Sequence, residues 1–105
     1  MNHKMMVASL VLLLFPAIGQ AQGIRGVASA GKGITDKWCS ACHLVTPDQA
    51  RANADVPTFS SLAQRLPTDA DFLSAFIANP HPPMPNMGLS RQDIADVLAY
   101  IATLK

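Results

Sequence analysis

From Val27 onward the apolar positions recur at helical spacing. Val27, Ala30, Gly31, Ile34 and Trp38 stand at i, i+3, i+4, i+7 and i+11, one stripe that predicts a first helix running up to Cys39. Lys32, Asp36 and Lys37 fall on its polar side. Phe59, Leu62, Ala63 and Leu66 repeat the pattern in a short second helix bounded by Pro57 and Pro67, because proline opens or breaks a helix more readily than it continues one. Thr68 reads as the N-cap of a third helix, with Asp69 and Asp71 in its first turn and Phe72, Leu73, Phe76 and Ile77 as its buried face. Four prolines between Asn79 and Pro85 demand a stiff, extended loop. Ser90 and Asp93 then resemble a capping box, and Ile94, Val97, Leu98, Ile101 and Leu104 mark a last helix of clear period 3.6. No stretch alternates or is β-branched enough for a strand, so the expected fold is all-α, about four short helices.

The first residues break this pattern. Asn2, His3 and Lys4 precede an apolar run of 14 residues, Met5 to Ile18, followed by the small residues Gly19 and Ala21. A bilayer-spanning helix needs about 20, so the run predicts a secretory signal peptide over 1–21, with an uncleaved anchor as the rival reading. The remaining segment, 22–105, is expected to be one exported domain without stable membrane insertion. It holds seven Lys and Arg against seven Asp, a net charge of zero, and the whole chain is only 14% charged. This balance excludes a polyanion-binding surface, hence nucleic acid as a partner, and half the residues being hydrophobic argues against disorder. Domains of this size bury only about 60–65% of their unfolded surface. Something beyond the helices has to complete the core.

Cys39-Ser40-Ala41-Cys42-His43 supplies it. C-x-x-C-H is the attachment signature of c-type haem: cysteines three apart on one turn present both sulfurs to the two vinyl groups of a porphyrin, and the following histidine lies under the iron. The other ring N–H of His43 would then be held by a backbone carbonyl. Three other readings stay open on the residues alone. A thioredoxin-type dithiol is usually set in a βαβ pattern; a structural zinc site needs four ligands where only His81 remains after the motif; a disulfide would leave the thin core and the proline-methionine loop unexplained. A six-coordinate iron needs a second ligand from Met84, Met87 or His81. Met84, between Pro83 and Pro85, loses least freedom on being fixed and is the expected ligand; Met87 reads as a gap-filling side chain and His81 as a loop residue.

With these residues the chain resembles the class I c-type cytochromes from about Val27 to Leu104. The resemblance implies the cytochrome c fold wrapped around one covalently bound haem c, with Cys39 and Cys42 as attachment points, His43 as proximal and Met84 as distal iron ligand. It also implies that the Pro57 carbonyl accepts a bond from the proximal histidine, and that Gly31 and Tyr100 stand where the first and last helices cross. The function implied is periplasmic electron transfer, not enzymic chemistry, as a soluble shuttle or as a small subunit of a redox complex. The alternative is a haem protein with an open iron position, a gas sensor or haem enzyme. Partners would be redox proteins (a dehydrogenase, oxidase or reductase) meeting a monomer at an apolar haem edge, with Met87, Pro82 and Pro83 at its rim. All seven acidic residues are Asp, most near predicted helix starts or on polar faces, where solvation and capping explain them, and Arg51 and Arg65 read as exposed residues before propionate partners.

Overall fold

The computed structural model describes residues 23–105. The expected leader over 1–21 lies outside the described residues. Three helices follow in order: α1, Ala28–Trp38; α2, Phe59–Ala78; and α3, Arg91–Ala102. No strand occurs among the described residues, which are all-α as the periodicity predicts. Both α1 and α2 pack on α3.

The approach of α1 to α3 is set by missing side chains. A Cβ on Gly31 would run into the Asp96 carbonyl and come within 2.9 Å of the Tyr100 Cβ. Gly26, just before the helix, faces the Ala95 carbonyl and the Ala99 Cβ in the same way. Because the seam is this close, it is filled by Gly31 and the fully buried Thr35, and the larger residues expected on the buried stripe, Val27 and Trp38, face outward. Val27 caps α1 without a side-chain bond of its own. Instead its N–H donates to Asp96 Oδ1 across the fold, at 2.7 Å.

α2 departs from the expected pair of helices. It runs unbroken through Pro67. Thr68 therefore caps nothing, and its hydroxyl donates back to the Arg65 carbonyl at 3.2 Å. Asp69 lies mid-helix, paired with Arg65 across the proline at 2.9 Å. Continuity keeps Leu62, Leu66 and Leu73, with Ile77 beyond, on one stripe against the core, and that burial offsets the hydrogen bond that proline cannot make. On such a helix Phe72, one residue away from Leu73, points outward and is 59% exposed, contrary to its expected burial. The true cap of α2 is Thr58, whose side chain accepts from the Ser61 N–H at 3.1 Å.

α3 begins as expected. The Asp93 N–H donates to Ser90 Oγ at 3.0 Å and the Ser90 N–H to Asp93 Oδ2 at 2.9 Å. Val97, Tyr100 and Ile101 meet Phe59, Leu62, Ala63, Leu66, Leu73 and Val45 in one core, which Cys39 joins.

Candidate functional site

The C-x-x-C-H segment is the outgoing end of α1. The Cys39 N–H still donates to Thr35 O at 2.9 Å, and the chain then tightens into turns, with the Cys42 and His43 N–H groups both donating to Cys39 O at 3.2 and 2.9 Å. No disulfide joins the two cysteines; Cys39 is buried and Cys42 exposed. Burial pushes the Cys39 thiol up to about 11. That is opposite to the lowered value an attacking dithiol needs, and with no strand in the described chain the thioredoxin reading falls. Among the described residues no three His, Cys, Asp or Glu side chains converge to hold a metal ion, which removes the zinc reading.

His43 is half-buried. Its Nδ1 lies 2.7 Å from the Pro57 carbonyl, and its ring stands 5.5 Å, centroid to centroid, from the buried Phe59. A carbonyl oxygen only accepts, so Nδ1 carries the proton and Nε2 is left with its lone pair. Pro57 reaches this position at the end of a loop that closes on the motif: Asn53 N–H donates to Cys42 O and Phe59 N–H to Leu44 O, each at 2.9 Å. Tyr100, from α3, donates its hydroxyl to the Val45 carbonyl. Burial raises the Tyr100 phenol above its ordinary value, which keeps it a donor. Gln49 is the residue that sequence reasoning missed; its carboxamide bonds four backbone groups of this loop and the motif. Nothing in a periodicity marks it, since a glutamine in a polar loop reads as solvated.

The structure brings His43 and Pro57 into direct contact. Met84 lies on the loop between α2 and α3, half-buried, its N–H donating to His81 O at 3.0 Å. Met87 is half-buried on the same loop, and His81 is exposed with its ring 5.7 Å from that of Phe76. Gly88 ends the methionine segment at φ +64°, a left-handed turn that suits glycine, its N–H held by Asn86 Oδ1 at 2.9 Å. Arg65 is committed to Asp69, and Arg51 is exposed.

Residues 26–101 match the family described as cytochrome c oxidase, cbb3-type, subunit III. Cytochrome c-552 of Bradyrhizobium diazoefficiens is 38% identical over 94 residues, covering 90% of each chain. The chain belongs to the class I c-type cytochromes. A cytochrome c-553-like protein of Synechocystis sp. is 27% identical to this cytochrome over 89 residues, 85% of this chain and 80% of its own. No solved structure matches it. As a c-type cytochrome it carries covalently bound haem c and takes part in electron transfer. The residues present fit that group: two cysteines three apart and not paired with each other, an imidazole with its Nδ1 committed to a carbonyl, and a buried tyrosine fixing the loop behind them. No helix among the described residues is long and apolar enough to cross a membrane.

Proposed function

We propose that this cytochrome moves single electrons in the periplasm, as a soluble shuttle or as the small subunit of a redox complex. Cys39 and Cys42 would tether one haem, with His43 as its proximal and Met84 as its distal iron ligand. The observation that carries the reading is the 2.7 Å bond between His43 Nδ1 and the Pro57 carbonyl, on the residue that directly follows the second cysteine. When bound, the haem iron supplies a one-electron change between its ferrous and ferric states.

The protein's part is to hold that site nearly unchanged in both states. Pro57 fixes the tautomer and plane of the imidazole and makes it a better donor. As a ligand the Met84 thioether, a weak donor, would favour the ferrous state and leave no open position for small ligands, while the buried faces of α1, α2 and α3 limit water. Pro83 and Pro85 support Met84 over Met87, because their locked backbone lowers the entropy lost in presenting it. The segment 1–21 would deliver the chain to the periplasm and leave it, so that the exported protein begins at Gln22. Redox proteins are the partners, and the oxidase named in the family description favours an oxidase among them.

The test is a ligand titration on purified holoprotein. Reduced wild type is expected to bind carbon monoxide weakly, and Met84→Ala to bind it tightly with a lowered potential. Tight binding by wild type, or a Met84→Ala spectrum identical to wild type, would transfer the distal role away from Met84.

A further inference from the structure

His43 and Pro57 are 14 residues apart, and the chain between them contains no helix or strand. Leu44, Ala50, Ala52, Asn53 and Val56 border an open cleft of about 500 Å³. Past Val45, which is buried in the core, apolar burial does little to aim the Pro57 carbonyl at Nδ1. Gln49 is placed to do it. Its Nε2 lies 2.9 Å from Ser40 O, 2.8 Å from His43 O and 2.8 Å from Arg51 O, and its Oε1 accepts from the Val45 N–H at 3.0 Å. Two of these carbonyls belong to the C-x-x-C-H segment, and the Arg51 carbonyl and Val45 N–H belong to the loop. Two N–H protons serve three carbonyls, so one proton is shared, and a group without N–H protons has nothing to offer any of them.

We propose that Gln49 is a positioning residue for the proximal ligand: its carboxamide latches the 44–57 loop to the haem-attachment segment and so holds the Pro57 carbonyl on His43 Nδ1. The inference rests on His43 being the iron ligand. The backbone ties from Asn53 to Cys42 and from Phe59 to Leu44, and the Tyr100 hydroxyl on Val45, do not involve the Gln49 side chain. Without Gln49 the loop thus loosens but does not unfold. A looser Pro57 carbonyl leaves the Nδ1 proton freer to exchange and the imidazole a poorer donor, which destabilises the ferric state and raises the potential.

The experiment compares the holoprotein with Gln49→Ala, Gln49→Glu and Ser90→Ala. Glutamate matches glutamine in shape and keeps an acceptor for Val45, but it has no proton for the three carbonyls and sets a charge against them. Exchange of the His43 Nδ1 proton, followed by NMR on the reduced protein, is expected to quicken about tenfold in both Gln49 variants, the factor equivalent to one net hydrogen bond. Their reduction potentials are expected to rise. Ser90→Ala, which removes a cap on α3 far along the chain, is expected to lower the melting temperature and change neither quantity. If both Gln49 variants keep the wild-type exchange rate and potential while His43 shows the large shifts of an iron-bound imidazole, the latch is refuted. If wild-type His43 shows no such shifts, the functional reading falls, and the positioning role with it.

Discussion

Asp96 is 6% exposed, and its Oδ1 collects the Val27 N–H at 2.7 Å and Gln92 Nε2 at 2.8 Å. The same Gln92 amide also donates to the Arg25 carbonyl at 2.8 Å, so one carboxylate and one amide fasten the segment before α1 to α3. Hydrogen bonds to a charged group contribute roughly 1.5–3 kcal/mol each. Asp96→Ala is thus expected to cost about 3 kcal/mol, because both bonds go and the Val27 donor is stranded. Asp96→Asn keeps an oxygen acceptor and is expected to cost about 1 kcal/mol. Urea unfolding of the holoproteins at neutral pH measures both, and equal losses would show that the charge, not the acceptor, is what the start of α1 requires. Nothing in the order of residues separates Asp96 from the six other aspartates, and the expectation of a solvated carboxylate fails there. The C-x-x-C-H motif is different: it is defined by local spacing and can be read from the sequence, whereas the partners of Asp96 and Gln49 exist only once the chain is folded.

The helices make the same distinction at their own scale, between what is near in sequence and what is near in space. The Ser90–Asp93 box spans four residues and reads correctly from them. Pro67 read alone signals a break; the stripe of leucines on both sides of it decides otherwise, and only the position of α3 shows that the stripe is one surface. Two glycines in α1 put the effect of distant packing to a direct test. Gly33 has nothing within 4 Å of where a Cβ would stand, so Gly33→Ala is expected to gain about 1 kcal/mol from helix propensity alone. Gly31→Ala has the same propensity gain but drives a methyl into the backbone of α3, an overpacking cost of about 3 kcal/mol, for a net loss of about 2 kcal/mol. Opposite signs in the melting temperatures of these two variants are the expected result. The cap of α3 carries a pH dependence. The Ser90 backbone N–H, and then its hydroxyl, hold the Asp93 carboxyl below its ordinary value of 3.8. Its folded value is the lower one, so this contribution is complete above the unfolded value and is lost as pH falls through the folded value. Wild type is expected to lose stability below about pH 4 by more than Asp93→Asn does, followed as melting temperature against pH.

For the molecule as a whole, the question is what guides it to a redox partner. Steering by charge needs a net charge or a one-sided field. Residues 22–105 hold seven basic and seven acidic side chains, and the exposed ion pairs, Lys32 with Asp36 at 2.7 Å and Arg65 with Asp69 at 2.9 Å, each cancel within one turn of a helix. Against this muted field two exposed aromatic side chains stand out beside the smaller Ile24 and Val27: Trp38, 47% exposed immediately before Cys39, and Phe72, 59% exposed on α2. Trp38 has the Lys37 ammonium 5.0 Å from its ring centroid, a local cation on an otherwise apolar tip. A short-lived encounter driven by apolar contact does not depend on the Debye length, which shrinks from about 30 Å at 0.01 M salt to about 3 Å at 1 M. The second-order rate of electron exchange with a neutral redox protein is therefore expected to change less than about threefold over that range, measured by stopped flow. Trp38→Ala is expected to slow it about tenfold at every salt concentration, since an exposed aromatic anchor of this kind carries more of an encounter than its neighbours do. A steep fall in rate with salt for the wild type would place the recognition in paired charges and remove Trp38 from it.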